Sequence, residues 1–204
     1  CLVSLKDDLP GFLGKRLGAD QVVWSPAYAP ALWPFNPEAA DSGKQWDVLF
    51  VGKADPAINP ERVKFLDGLK KLVPGLEARS GAFGQLFPKA RLVLNHSIAG
   101  DLNFRVFEAL ACGAGLLTPR IGQGQDELFE DGKDLFPFDQ AAPRGLAALI
   151  ERLLADPPLR ARTAFSGHEK IRMNHLPQNR AKAFSEAFSR LMKTEASSDS
   201  PAGY

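Results

Sequence analysis

The 204 residues suffice for one sizeable core, or for one domain and a piece of another. With 25 Lys and Arg against 24 Asp and Glu, the net charge of +1 excludes the strong field that nucleic acid or an acidic membrane surface would select. Hydrophobic content of 45% is that of a soluble globular chain, and no apolar run reaches the roughly 18–20 residues of a membrane span. Cys1 and Cys112 make no disulfide framework, which suggests a reducing compartment, most simply the cytoplasm.

The chain opens on Cys1 rather than Met, with no charged leader, and reads as entered part-way through a strand. The expectation is a piece of something longer. Leu2-Val3-Ser4 and Gln21-Val22-Val23-Trp24 are short apolar runs with strand character, and Pro10 to Leu17 has room for a short helix. The prolines at 26, 30, 34 and 37 forbid a regular helix or a central strand. Asp41-Ser42-Gly43-Lys44 closes a linker, with a domain boundary near residue 45.

From there strands and helices alternate. Asp47 to Gly52 is a buried strand ending on glycine, and Pro60 to Leu72 is a helix by the spacing of Val63, Phe65, Leu66, Leu69 and Leu72. Leu76 to Arg79 and Arg91 to Asn95 read as strands, Asn103 to Cys112 as a helix, and Leu116 to Thr118 as a strand. Asp134 to Phe138 is a weaker strand. Pro143 to Leu154, Leu159 to Met173 and Asn179 to Lys193 are helices, and the polar tail from Thr194 to Tyr204 reads as disordered. Such alternation predicts an α/β fold, a Rossmann-like parallel sheet with helices on both faces.

The chemistry concentrates between Leu94 and Gly113, a strand, a loop and a helix closed by glycine. Ligands of a parallel sheet bind at the carboxyl ends of its strands. A helix N-terminus placed there offers unpaired N–H groups to phosphate. Arg105 lies in the first helical turn, where a cation opposes the macrodipole unless both face an anion. Glu108 shares a stripe with Phe104, Phe107 and Ala111, a costly place for an unpartnered carboxylate. An Arg105–Glu108 pair at i, i+3 spacing and a shared ligand explain this equally well.

The same stretch resembles the donor-site motif of GT-B glycosyltransferases. It resembles most closely the CgeB-like branch of the glycosyl transferases group 1, which reads N-x-R-x-F-E-A-L-A-C-G. Asn103, Arg105, Phe107, Glu108, Ala109, Leu110, Ala111, Cys112 and Gly113 match it in order. The resemblance implies that Glu108 binds the ribose hydroxyls, for which a carboxylate is a suitable acceptor pair. It implies that Arg105 and the amides near Asn103 and Phe104 take the diphosphate, with the Gly52 turn beside the phosphates; Lys53 reads equally as a phosphate contact or as a solvated lysine. Asp101 and Thr118 complete the nucleotide-sugar candidates; Gly115 to Pro119 resembles the strand that follows the motif helix. The wider family's E-x7-E pattern would place its first Glu at position 100, which is Gly100 here. In the family that Glu contacts the donor sugar, and Asp101 substitutes only if the loop shifts. Asp126 to Gly132 resembles the family's E-L-F-E-D-G turn, and His175 to Ala181 its H-T-x-x-x-R-A signature. Trp24 to Pro30 resembles the interdomain linker, so residues 1–45 are expected to be a remnant of an N-terminal domain and its linker, with 46–193 the nucleotide-sugar-binding domain.

The remaining candidates are weaker. His96 stands just past a strand end in the expected cleft, and Gly122-Gln123-Gly124-Gln125 lacks the spacing of a phosphate-binding loop. His168 and His175 are seven apart, but no zinc spacing surrounds them. Cys112 reads as packed core. Asn103 and Asp101 compete to cap the motif helix. The resemblance therefore implies the donor half of a glycosyltransferase with no tightly bound metal or cofactor, using a nucleotide diphosphate sugar. Its acceptor is an unspecified glycan, lipid or protein, and any peripheral membrane contact is left to a domain outside this chain. A non-catalytic nucleotide-binding or partner-binding module and an epimerase of the same architecture are the alternatives.

Overall fold

The structure, a computed structural model, describes residues 2–3, 6, 22–98 and 100–198. The helix expected over Pro10 to Leu17 and the end of the tail, 199–204, lie outside the described residues.

Two short strands, β1 (Leu2–Val3) and β2 (Val23–Trp24), pair in parallel. The main sheet contains β3 (Trp46–Val51), β4 (Leu76–Arg79), β5 (Ala90–Leu94), β6 (Gly115–Pro119) and β7 (Phe136–Phe138). All its neighbours are parallel, in the order β4-β3-β5-β6-β7. The connecting helices are α1 (Pro60–Leu72), α2 (Phe83–Leu86), α3 (Phe104–Ala111), α4 (Gln125–Leu128), α5 (Pro143–Leu154), α6 (Pro157–Asn174) and α7 (Pro177–Ser198).

The sheet is covered on both faces, and alternation along each strand assigns the side chains. Leu49, Val51, Val93 and Leu116 face a core closed by Val106, Phe107 and Leu110 of α3 and by Ile171 of α6. Val48, Phe50, Leu92, Leu94 and Leu117 face the opposite core, closed by Leu66 and Leu69 of α1 and by Leu146, Ile150 and Leu153 of α5. Helix starts follow local rules: proline fills the first turn of α1, α5 and α6, where its missing N–H costs nothing. The Asp156 side chain caps α6 through the Leu159 N–H at 2.9 Å. Gly113 ends α3 at φ 65°, and a Cβ there would stand 2.3 Å from the Phe35 ring.

Four local differences from the expected elements have simple causes. α2 and α4 are four residues each, too short to show a period. The weak strand begins at Phe136 rather than Asp134. Asp134 is instead buried in a turn, accepting from the Glu130 N–H at 3.0 Å and the Ser166 hydroxyl at 2.6 Å. The last helix runs to Ser198, so the segment expected as tail from Thr194 begins as helix.

The proline-rich segment read as a linker is bound along its length to the main sheet's helices. Arg180 donates to the carbonyls of Pro26 and Ala27, both at 2.9 Å, and the Ala29 N–H donates to the His175 carbonyl at 2.9 Å. The Trp33 N–H donates to the Ala111 carbonyl at 3.0 Å, and His168 Nε2 meets the Trp33 carbonyl at the same distance. Asp41 accepts from the buried Arg160 guanidinium. Proline removes regular structure without removing order, because these partners supply the backbone bonds that a helix would have supplied.

Candidate functional site

β3 lies between β4 and β5, so the chain leaves β3 on one side of the sheet's turning point and β5 on the other. The carboxyl ends of β3 and β5 therefore splay apart and leave a crevice, the usual ligand position in such sheets. Gly52 and Lys53 follow β3, Asn95 to Ser97 follow β5, and the first turns of α1 and α3 close the sides. A cleft of about 450 Å³ is lined there by Arg62, Ile98, Asp101, Asn103, Phe104, Arg105 and Glu108.

The start of α3 is fixed by polar bonds. The Asn103 side chain accepts from the Arg105 N–H at 3.1 Å and so takes the cap for which Asp101 competed. Asp101 is used elsewhere: its carboxylate accepts from the Ser97 hydroxyl at 2.7 Å, and its N–H donates to Ser97 Oγ at 2.9 Å. Asn103 reaches the Asn95 side-chain oxygen at 3.4 Å, and the Asn95 amide donates to Thr118 Oγ1 at 3.1 Å. Thr118 is fully buried, beneath the cleft rather than in its wall.

Two guanidinium groups converge in the cleft. Arg62, from the first turn of α1, donates to the Lys53 carbonyl at 3.1 Å and the His96 carbonyl at 3.4 Å, bridging the loops after β3 and β5. Arg105, from the first turn of α3, stands over the Phe50 ring beside it. The Nε atoms of both are buried without a hydrogen-bond partner among the described residues. Burial lowers the pKa of Arg105 from its ordinary value, Glu108 opposes that, and Arg62 adds to it. Burial raises the carboxyl pKa of Glu108, against the pull of Arg105. Arg105 and Glu108 nevertheless form no direct ion pair among the described residues, so the i, i+3 pairing offered by their spacing is not made. Both side chains are left facing the cleft.

Gly52 is needed for close approach. A Cβ there would stand 3.0 Å from Phe50 Cζ and 3.3 Å from a terminal nitrogen of Arg105. Lys53 is exposed and outside the lining of the cleft; its contribution is its carbonyl. His96 is buried against Phe65 at 4.8 Å between ring centroids, and burial followed by Arg62 lowers its pKa. Arg62 and Ile98 escape sequence reasoning. Arg62 sits in Pro60-Glu61-Arg62-Val63-Lys64, which reads as a solvated helix start, and only the strand order brings it to the cleft.

The two other histidines serve packing. His175 lies between Phe107 and Phe129, at 5.4 and 5.3 Å, and its Nδ1 accepts from Arg180 at 2.7 Å. Cys112 is buried and its thiol is pushed up to about 12, chiefly by burial, which makes it inert. Among the described residues no cluster of His, Cys, Asp and Glu has the arrangement of a metal site, and no helix is long and apolar enough to cross a membrane.

Residues 43–186 match the family described as glycosyl transferase-like. The chain belongs to that family. Among solved structures it is similar to the sucrose-phosphate synthase of Thermosynechococcus elongatus, with TM-score 0.70 and 16% identity over 95% of this chain and 58% of that one. It is likewise similar to HepE of Anabaena solved with UDP-glucose, with TM-score 0.72 and 15% identity over 93% of this chain and 63% of that one. A third is the pneumococcal O-GlcNAc transferase GtfA solved with UDP and GlcNAc, with TM-score 0.62 and 14% identity over 94% and 45%. No curated protein matches the sequence significantly. This glycosyl transferase-like chain spans at most about three fifths of the length of these neighbours, with which it shares the GT-B fold.

Proposed function

We propose that this chain is the donor-binding half of a glycosyltransferase that moves a sugar from a nucleotide diphosphate sugar to an acceptor. The observation that carries the reading is the convergence of Arg62 and Arg105 on one cleft with the Asn103-capped start of α3, while Glu108 stands one turn further on. Two cations and the free amides of a helix N-terminus suit a diphosphate, and a carboxylate one turn away suits the vicinal hydroxyls of ribose. The neighbours solved with UDP or UDP-glucose support this class of donor. The Asn103 to Gly113 motif supports placement in the CgeB-like branch.

In the reaction so proposed, the bond between the anomeric carbon and the β-phosphate oxygen breaks, and charge develops on the departing diphosphate. Preorganised donors aimed at that charge lower the barrier without a resident metal. Gly52 lets the Arg105 guanidinium reach the crevice, and Lys53 contributes its carbonyl, which holds Arg62. Transfer with retention, a glycan, lipid or protein acceptor and a cytoplasmic setting complete the proposal. A non-catalytic nucleotide-binding module is the second reading, favoured by Gly100 standing where the wider family has a glutamate.

Calorimetric titration of the chain with UDP, GDP, ADP and TDP tests the proposal. Saturable binding of one of them at a single site is the expected result. A folded chain that binds none would contradict it, and turnover of a bound nucleotide sugar would exclude the second reading.

A further inference from the structure

The main sheet ends in two edges of different construction. At β7, Phe138 turns its carbonyl inward to the Arg120 N–H at 2.8 Å. Alternation along a parallel strand then turns the backbone of residue 137 outward, and that residue is proline. With no N–H to offer, Pro137 closes this edge to a further strand.

β4, at the other edge, carries no such block. Arg79 turns its carbonyl inward to the Gly52 N–H at 2.9 Å, so the N–H and C=O of Ala78 point away from the sheet. Ala78 is exposed, and neither proline nor lysine lies between Leu76 and Arg79 to guard the strand. Glu77 and Arg79 flank Ala78 on one face of β4, with side chains 41% and 49% exposed. The Arg79 guanidinium carbon lies 5.0 Å from the centroid of the Trp46 ring, which holds it to that face. The ion pair between Glu77 and Arg79 is long, at 3.8 Å, and leaves both charges able to meet a partner.

A strand added to this edge must match an acidic and a basic residue placed symmetrically about a small one. A second copy of β4, antiparallel and related by a two-fold axis at Ala78, does so. Ala78 of each copy then exchanges N–H and C=O with Ala78 of the other, and Glu77 of each lies directly opposite Arg79 of the other. A parallel copy in register sets like charges side by side, and a slip of one residue sends the charges to opposite faces. The two-fold arrangement also closes on itself and leaves no edge for a third copy.

We propose that the open edge of β4 is an interface for a second copy of this chain, joining the two five-stranded sheets into one continuous sheet. The inference goes beyond the donor reading and does not depend on it, since no residue of β4 lines the cleft of Arg62 and Arg105. So short an edge makes a small contact, and the dimer is an exchanging one rather than an obligate one.

Analytical ultracentrifugation of the full chain, over a concentration series reaching about 1 mM, tests the proposal. A reversible shift from monomer to dimer mass is the expected result. Glu77→Arg and Arg79→Glu each set like charges opposite one another at both ends of the contact, and each weakens the dimer by about tenfold or more. An equimolar mixture of the two variants recovers the association as a heterodimer, and the double exchange recovers it as a homodimer. That recovery separates a lost contact from a lost fold. Ala78→Pro, which an outward-facing N–H tolerates, abolishes the dimer. A chain that stays monomeric throughout, whatever else covers the edge, overturns the proposal. So does a dimer unaffected by Ala78→Pro or by the two charge reversals, and so does a mixture that fails to recover.

Discussion

Arg62 and Arg105 stand over the same phenylalanine: their guanidinium carbons lie 5.4 and 5.8 Å from the centroid of the Phe50 ring. They come from the first turns of two helices, where each cation also opposes a helix dipole. The two like charges share a buried ring, and among the described residues neither Nε has a hydrogen-bond partner; Arg62 holds two carbonyls through its terminal nitrogens, while Arg105 has no such bond. An anion between them would relieve the repulsion, the dipoles and the missing hydrogen bonds together.

Replacing either arginine by alanine is therefore expected to weaken nucleoside diphosphate binding by about tenfold to a hundredfold, the worth of a charge-assisted hydrogen bond. Affinity for the bare nucleoside changes little; the melting temperature of Arg105→Ala does not fall, since the repulsion goes with the side chain, while Arg62→Ala lowers it modestly by losing the bonds to the Lys53 and His96 carbonyls. Titrations with UDP and with uridine, or the corresponding pair for the preferred base, read this directly. Equal losses for nucleotide and nucleoside would show that the arginines shape the cleft without touching phosphate.

Thr118 makes the opposite prediction. Its hydroxyl is the acceptor for the fully buried Asn95 amide. Thr118→Val keeps the shape and leaves that donor unpaired, at a cost of about 1–3 kcal/mol of stability. Denaturant unfolding is expected to register that loss while nucleotide affinity changes no more than about twofold. A binding loss without a stability loss would move Thr118 into the cleft.

The third prediction concerns pH. Burial, with help from Arg180 and Lys170, pushes the pKa of His175 down from 6.5 to about 4. Above 6.5 the imidazole is neutral in both folded and unfolded chains and costs nothing. Between 6.5 and 4 the unfolded chain takes up a proton that the folded one refuses. Stability then falls with pH by about 1.4 kcal/mol per unit, levelling off below 4. Urea unfolding at pH 7 and pH 5 is expected to show this slope in the wild type and a shallower one in His175→Gln. Parallel slopes would mean that His175 is protonated in the folded chain.

The sequence carried the sheet well because its central strands are buried on both faces. Asp47 to Gly52 and Arg91 to Asn95 are near-continuous apolar runs with glycine or polar ends, and such runs become β3 and β5. The four-residue helices α2 and α4 were not legible, being shorter than the pattern that would announce them. Arg62 was not legible either. Its neighbours Glu61 and Lys64 mark an ordinary solvated turn, and its role arises only because β4 and β5 lie on opposite sides of β3. The fixed path of residues 25–30 was hidden for a related reason: their prolines read as linker, but the backbone at Pro26 and Ala27 is clasped by Arg180. Glu108 was legible as an anomaly, a carboxylate on an apolar stripe. The stripe itself changes character at Phe104, which is 55% exposed and forms part of the cleft wall.

The central claim is that Glu108 clamps the ribose of a nucleotide held in this cleft. The most direct measurement is the affinity of the wild type and of Glu108→Ala for the preferred nucleoside diphosphate and for its 2′,3′-dideoxy analogue. The account predicts that the wild type prefers the natural nucleotide by about 1–3 kcal/mol, the worth of pairing a half-buried carboxylate with two hydroxyls, and that Glu108→Ala loses this preference while melting close to the wild type. An undiminished preference in Glu108→Ala, or a substitution that lowers stability and leaves binding intact, would contradict it.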